Sequence, residues 1–326
     1  MTLSSATTPR HARVPNPATR PRVPAVLQWE PVPTPHPDQG PSFRGLQPRD
    51  LALLQIIVEA RYCTIDHAAM VPEFTNYSYA ARRLRQFRLY GWVQRGQLPE
   101  VYTETSATGQ VTTRRRFHWV YSITDQGLAW LLEIDPEWAQ AHQGLVAPAG
   151  RPIAVERVRH ELDRNAALQH LLALSGPSPE DVQWTHGSAG AIRAYPYGLQ
   201  GERLQIIPDA VLYCGSHVWL IELERSWRTT TIAKKSHQYA SYFQHEIWRQ
   251  RFWRRPRVLF VLTDVSTQNA SWTQWWAQAT ILRGNTAYLV RLTDLLQPSI
   301  ESPWFYSQTA TAPYTLQTTT WAALHA

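Results

Sequence analysis

The sequence predicts an α/β chain of the α+β kind, with an N-terminal helical unit and a C-terminal mixed sheet. Two observations predict it: helical hydrophobic patterns precede the first strand-like alternation, and strands alternate with helices beyond residue 154. With 326 residues, 44% of them hydrophobic and 17% charged, the chain can bury more than one core. The predicted divisions are a proline-rich disordered arm at 1–45, a helical domain at 46–135, a linker at 136–153, a sheet domain at 154–296 and a tail at 297–326.

Composition excludes several classes of protein. No apolar run approaches the ~20 residues of a membrane-spanning helix, and Cys63 and Cys214 are too few for a disulfide framework. We therefore expect a cytoplasmic protein with no membrane partner. The sequence contains no His-x-His pair, phosphate-binding loop, nucleophile elbow or Cys/His zinc set. A net charge of +7, carried almost wholly by arginine, favours a polyanionic partner.

The helical domain shows an order of elements typical of DNA-binding proteins. Pro48 and an apolar stripe predict a helix ending near Ala60, followed by helices at 64–70 and 77–90. Strands are predicted at 92–95 and 117–123, before a helix at 125–133 capped by Thr124. This order is the winged-helix arrangement, in which the third helix enters the major groove of duplex DNA and the strands form a wing. The predicted DNA-contacting residues are Arg82, Arg83, Arg85, Arg88, Arg114, Arg115 and Arg116. The alternative is a solvated basic helix and loop on another scaffold.

Beyond residue 154 the pattern predicts an α-β-β-β-α-β-α-β order. The helices are expected at 154–174, 230–243 and 271–279, and the strands at 182–185, 204–213, 217–222, 257–262 and 286–291. Gly215-Ser216 lies between two β-rich runs and predicts a two-residue hairpin loop. In that register Val211 faces Leu220, and Asp209 faces Glu222.

Three carboxylates should therefore meet at one end of the sheet, because Glu224 shares a face with Glu222. Facing carboxylates repel, so such a cluster needs a retained proton, a base or a cation. Oxygen ligands suit Mg²⁺ or Mn²⁺, and Lys234 or Lys235 would add a positive charge. The alternative is a sheet end neutralised by Arg203, Arg225 or Arg228.

Pro208-Asp209, the hairpin and Glu222-Leu223-Glu224 together resemble the PD-(D/E)xK nuclease signature of restriction-endonuclease-like domains. The resemblance implies that Asp209 and Glu222 bind a divalent metal, with Glu161 as an additional acidic residue. Glu224 stands where the signature has lysine, and Lys234 or Lys235 would be the lysine migrated to the next helix.

Over about residues 46–265 the chain is also similar to the replication-relaxation family of plasmid and mobile-element proteins. The matching stretches are 46–50, 81–84, 121–127, 160–162, 208–210, 221–224 and 235–242. The likeness implies nicking of duplex DNA at a replication or transfer origin, with Mg²⁺ or Mn²⁺. Tyr239 and Tyr242, one helical turn apart, are candidate nucleophiles, and the alternative for both is a packing role.

The sequence thus predicts a metal-dependent DNA-nicking protein of a plasmid or mobile element. Two alternatives stay open. One is a non-catalytic DNA-binding accessory protein or repressor on a decayed nuclease fold, and the other is a restriction-like defence nuclease that cuts both strands. Beyond DNA, the partners considered are a second copy of the chain and other plasmid replication or transfer proteins.

Overall fold

The protein is described here by a computed structural model. It describes residues 26–34, 46–69, 76–105, 111–146, 150–175, 182–186, 192–194, 204–225, 229–263, 287–296, 304–308 and 316–320. Within these ranges helices and strands both contribute, so the chain is mixed α/β as predicted. The predicted helix at 271–279 lies outside the described residues. None of the described helices is long and apolar enough to cross a membrane.

The N-terminal unit packs its helices around one apolar core. The helices are α1 (Pro48–Ala60), α2 (Ile65–Ala69), α3 (Tyr77–Leu89), α4 (Asp125–Ile134) and α5 (Pro136–His142). Side chains cap α3, α4 and α5. Asn76 accepts from the Tyr79 N–H (2.9 Å), Thr124 accepts from the Gly127 N–H (3.1 Å), and Asp135 accepts from the Trp138 N–H (3.2 Å). The predictions for α1, α3 and α4 are confirmed to within about two residues, as expected for helix ends.

A long antiparallel hairpin follows α3 and is longer than predicted. Its strands are β2 (Val93–Thr105) and β3 (Val111–Ile123). The segment at 26–34 crosses this hairpin, and its short strand β1 (Val26–Leu27) pairs with β4 (Ile153–Ala154). Gly96 permits the crossing, because a Cβ there would lie 2.6 Å from Leu27 and 2.8 Å from the Gln28 carbonyl oxygen. Residues 26–34 are therefore part of the fold rather than of a disordered arm.

The C-terminal unit is one seven-stranded mixed sheet with helices on both faces. Its strands, in sheet order, are β13 (Leu316–Thr320), β12 (Trp304–Gln308), β11 (Ala287–Arg291), β10 (Arg257–Leu262), β9 (His217–Glu224), β8 (Ala210–Cys214) and β5 (Val182–His186). Strands β9, β10 and β11 are parallel to one another, whereas the other neighbouring pairs are antiparallel. A separate hairpin pairs β6 (Ile192–Ala194) with β7 (Leu204–Ile206).

Alternating side chains of the central strands pack against different helices. Leu212, Trp219 and Leu259 share a core with α6 (Val155–Leu174) and α8 (Leu292–Leu296). Val211 and Leu220 share a core with α7 (Thr229–Gln244), the helix that connects β9 to β10. Residues 209, 222 and 224 have the parity of the α7 face, so the candidate site is on that side of the sheet.

Helix α6 also joins the two units. The buried Asn165 side chain donates to the carbonyl oxygens of Ala60 and Tyr62, both at 3.0 Å, at the C-terminal end of α1. Tyr62 packs with Val155 and Val158 in a further apolar cluster. Backbone carbonyls of one unit are therefore satisfied by side chains of the other, which fixes their contact.

Two predicted segments contain more structure than expected. The linker at 136–153 holds α5, and the tail at 297–326 supplies β12 and β13 to the sheet. The two were missed for different reasons. Pro136 was taken to indicate a helix break, but it occupies the first turn of α5. The threonine-rich strand β13 has no hydrophobic alternation that would indicate a strand.

Candidate functional site

The predicted register of the β8–β9 hairpin is confirmed. Val211 pairs with Leu220 and Tyr213 with Val218, and the two-residue loop begins at Gly215, whose φ is +52°. A glycine tolerates this left-handed conformation without steric strain. One step beyond the paired strands, the Asp209 N–H donates to the Ile221 carbonyl oxygen (2.9 Å), so Asp209 lies beside Glu222.

Lys235 of α7 bridges the two glutamates of β9. Its Nζ donates to Glu222 Oε2 (2.7 Å) and also contacts Glu224 Oε1. Tyr239, one turn further along α7, donates its hydroxyl to Glu222 Oε1 (2.5 Å). The adjacent Lys234 is exposed and is not part of this cluster. Of the two candidate lysines, Lys235 is therefore the one at the carboxylates.

Asp209 is held from two sides. Its Oδ2 accepts from the Leu223 N–H (2.7 Å), and its Oδ1 lies 2.9 Å from His160 Nε2 on α6. His160 was not among the predicted site residues. The sequence did show that His160 precedes Glu161 on a predicted helix. It did not show which of the two side chains faces the sheet.

The cluster carries more negative than positive groups, and its pKa values reflect this. Burial, and to a smaller extent the charge of Asp209, raises the pKa of Glu222 to about 7, although Lys235 opposes the shift. Burial also acts to raise the pKa of Asp209, but the hydrogen bond and charge of His160 keep that pKa below its usual value. Burial disfavours the Lys235 ammonium, yet Glu222 and Glu224 raise its pKa overall, so Lys235 stays protonated.

The structure corrects the expectation for Glu161. Its carboxylate pairs with Arg61 (3.4 Å) and with the buried Arg164, and it is not part of the Asp209–Glu222 cluster. In the described part of the chain, no three His, Cys, Asp or Glu side chains are grouped closely enough to hold a metal ion. The candidate metal ligands are thereby reduced to Asp209 and Glu222. Two carboxylates still suit Mg²⁺, which commonly takes one or two from the protein and completes its shell with water and phosphate.

Both candidate tyrosine nucleophiles are buried. Tyr239 is 1% exposed and Tyr242 is fully buried, and burial raises the pKa of each phenol. A nucleophile must reach its substrate and lose its proton, so this burial argues against both roles. Tyr239 positions Glu222, and Tyr242 belongs to the apolar core between α7 and the sheet.

The predicted basic face of α3 is only partly open to solvent. Arg82 and Arg85 are exposed. Arg83, in contrast, is buried and donates from Nε to Asp50 Oδ1 (2.7 Å), so the prediction that it faces DNA is wrong. Arg88 is half-buried and its guanidinium pairs with Glu30 (2.8 Å) of the crossing segment.

The three arginines beside the predicted wing lie within strand β3 rather than in a loop. Arg114 and Arg115 pair with Tyr102 and Val101 of β2, and only their backbone is described. Arg116 is exposed and contacts Glu100 on the neighbouring strand. The hairpin is therefore a two-stranded ribbon that carries basic residues along its length.

Comparison with known proteins identifies no relative of this chain: no family model, no curated protein and no solved structure matches it.

Proposed function

We propose that the protein binds duplex DNA and nicks one strand in a reaction that depends on Mg²⁺ or Mn²⁺, at a replication or transfer origin of a plasmid or mobile element. One observation carries the proposal. Asp209 and Glu222 lie side by side on the sheet, and Lys235 from the following helix bonds to Glu222 at 2.7 Å. A paired Asp and Glu with an adjacent lysine is the residue set that the PD-(D/E)xK resemblance implies.

The order of elements supports the same interpretation. Helix α6 precedes β5, β8 and β9, which are neighbouring antiparallel strands, and α7 then leads to β10, which is parallel to β9. This order resembles the core of restriction-endonuclease-like domains, with β6 and β7 as an insertion. The likeness supports a fold, and the argument for chemistry rests on the side chains.

The N-terminal unit would supply DNA binding. Helices α1 to α3 and the β2–β3 hairpin follow the winged-helix order, with Arg82 and Arg85 exposed on the third helix. In that arrangement the third helix lies in the major groove and the hairpin contacts the backbone. Arginines on phosphates would add affinity that falls with salt but would not by themselves select a sequence.

Asp209 and Glu222 would hold the metal ion. When bound, such an ion lowers the pKa of a water ligand and stabilises charge on the scissile phosphate. The protein's own groups prepare this site: His160 fixes one oxygen of Asp209, and Tyr239 fixes one oxygen of Glu222. Lys235 remains an ammonium, so its role would be to orient the nucleophile and to neutralise charge, rather than to act as a base.

The test is relaxation of supercoiled plasmid carrying DNA from the protein's own genetic neighbourhood, with Mg²⁺ or Mn²⁺ against EDTA. We expect metal-dependent open circles from the wild type and from Lys234→Met, whose side chain is exposed. Asp209→Asn and Lys235→Met should yield none, provided that circular dichroism shows them folded. Linear product would indicate the double-strand-cutting alternative, and open circles that survive Asp209→Asn would contradict this site.

A specific observation favours the non-catalytic alternative. Both oxygens of Asp209 and both of Glu222 already have hydrogen-bond partners, and Glu161 is engaged by two arginines. Such satisfaction is also what a purely structural polar cluster requires. Duplex binding with a steep salt dependence, unchanged in Asp209→Asn and without nicking, would establish an accessory protein or repressor.

A further inference from the structure

A second basic surface lies on the sheet unit, and none of its residues belongs to the site or to the predicted DNA-binding face. We call residues 249–257 the basic-aromatic segment; it runs from the end of a short 3-10 helix into β10. Trp253 is 66% exposed, the highest exposure among the large hydrophobic side chains that the structure describes. The segment also contains five arginines, Arg249, Arg251, Arg254, Arg255 and Arg257.

The two arginines that follow Trp253 contact aromatic rings instead of carboxylates. The Arg254 guanidinium lies 4.6 Å from the centre of the Trp253 ring, and the Arg255 guanidinium lies 5.0 Å from that of Phe243. Both residues are exposed, and no carboxylate in the described ranges pairs with either. Arg249 differs, since Glu246 pairs with it at 3.0 Å. Positive charge at Arg254 and Arg255 is therefore available to an external anion.

The segment is anchored, so Trp253 is presented from a fixed backbone. Phe252, immediately before it, is buried in the core beneath α7 and contacts Tyr213 at 6.4 Å between ring centres. On the other side, Arg257 begins β10 and lies over Trp219 at 5.4 Å. A buried aromatic and a paired strand thus hold the two ends of a short exposed stretch.

The segment and the carboxylate cluster lie at opposite ends of the same strands. Arg257 pairs with Trp219 in the register of β10 and β9, whereas Phe260 pairs with Glu222 and Leu262 with Glu224. Three to five strand residues separate them, which corresponds to roughly 10–17 Å. A ligand at the segment would therefore be distinct from one bound between Asp209 and Glu222.

We propose that the basic-aromatic segment binds single-stranded nucleic acid, with an unpaired base stacked on Trp253 and phosphates on Arg254 and Arg255. An exposed indole beside unpaired guanidinium groups matches the base-and-phosphate repeat of a single strand. Duplex DNA fits less well, because its base faces are hidden in the stack. A membrane surface also fits less well, because Trp253 is the only strongly exposed apolar side chain of the segment. The inference shares only its class of ligand with the proposed function and uses none of its residues.

The experiment is fluorescence anisotropy of a labelled oligothymidylate of roughly 15 nucleotides, titrated with the full chain in EDTA. The label is on the DNA because Trp253 is one of 15 tryptophans. Trp253→Ala should weaken binding about 5- to 100-fold, while Trp253→Phe, which keeps an aromatic face, should stay within a few-fold of wild type. The double variant Arg254→Ala/Arg255→Ala should reduce the slope of log affinity against log salt by about 1.4.

The matched control is Arg82→Ala/Arg85→Ala, which removes the same charge from α3. It should weaken duplex binding and leave oligothymidylate binding unchanged. Equal effects of the two double variants on oligothymidylate, or wild-type binding by Trp253→Ala, would overturn the proposal. So would Trp253-dependent binding to phosphatidylserine vesicles without binding to oligothymidylate, which would indicate a membrane contact.

The outcomes separate this inference from the proposed function. Trp253-dependent binding of oligothymidylate together with an uncut plasmid would support the segment and contradict the nuclease. Metal-dependent nicking, with oligothymidylate binding unchanged in Trp253→Ala, would support the nuclease and contradict the role of the segment.

Discussion

The two units each place a pair of adjacent basic residues on a helix, of which one is exposed and the other pairs with carboxylates, and the two pairings differ. On α3, Arg83 is buried against a single carboxylate, Asp50, while Arg82 is exposed. On α7, Lys235 bonds to both Glu222 and Glu224, with Asp209 close by, while Lys234 is exposed.

The difference between the two pairings distinguishes an ion pair with a structural role from a candidate functional site. Arg83 and Asp50 form a balanced pair with matched bidentate geometry, which is sufficient to close a packed interface between α1 and α3. Lys235, in contrast, is shared by two glutamates beside Asp209, and burial together with Asp209 raises the pKa of Glu222 to about 7 although Lys235 opposes the shift. A buried carboxyl group with a strongly raised pKa beside other charged groups is typical of a functional site, whereas a balanced ion pair is not.

The largest effect is expected from Lys235→Met. Without the ammonium, the buried Glu222 and Glu224, which are neighbours on the same face of β9, lose their shared counter-charge. We expect the free energy of unfolding to fall by about 3–5 kcal/mol, whereas Lys234→Met should stay within about 0.5 kcal/mol of wild type. Urea unfolding of the three proteins measures both values. Equal stability of the two variants would contradict the stabilising role of Lys235 between the two glutamates.

The balanced pair provides the second test. Arg83→Met leaves Asp50 buried and unpaired, so we expect a loss of about 2–4 kcal/mol in the free energy of unfolding. Arg82→Met should cost less than about 0.5 kcal/mol and should instead lower the salt dependence of duplex binding by about one unit of slope. A stable Arg83→Met with reduced DNA affinity would restore the original prediction that Arg83 faces DNA.

The sequence predicted the carboxylate cluster of the sheet unit better than the environment of Arg83 on α3. The hairpin register followed from the Gly215-Ser216 loop between two β-rich runs, and it correctly placed Asp209 beside Glu222. Local pattern could not show that Arg83 turns inward, because Asp50 is 33 residues away and four arginines on one helix look alike. The choice of His160 over Glu161 likewise depended on how α6 docks against α1, which is set by Asn165 and two distant carbonyl groups.

The two units should also respond oppositely to pH. His67 on α2 is buried, and burial lowers its pKa from 6.5 to about 4. Since the unfolded chain takes up this proton first, His67 makes stability fall as the pH drops from about 6.5 to about 4. Glu222 acts in the other direction: its pKa is raised to about 7, so the folded state keeps a proton that the unfolded chain releases, and stability falls as the pH rises from about 4.5 to about 7.

Urea unfolding in EDTA between pH 4 and pH 7.5 tests this opposition. His67→Gln should become more stable relative to wild type at the acidic end, by about 2–3 kcal/mol. Glu222→Gln should become relatively more stable at the neutral end, by a similar amount, because its pKa is raised by about as much as that of His67 is lowered. If the stability of both variants followed the same pH dependence as that of the wild type, neither the lowered pKa of His67 nor the raised pKa of Glu222 would be supported.

The smallest effects should come from the two tyrosines of α7, which have matched burial but different hydroxyl partners. Tyr239 donates to Glu222, so Tyr239→Phe should lose about 1–2 kcal/mol of unfolding free energy. The Tyr242 hydroxyl is buried without a hydrogen-bond partner among the described residues, and removing it should be neutral or slightly stabilising. Tyr242→Phe should also keep full plasmid nicking, because a metal-activated water rather than a tyrosine is the proposed nucleophile. Loss of nicking in a stable Tyr242→Phe, with a protein–DNA adduct in the wild type, would instead establish a tyrosyl mechanism and require α7 to open.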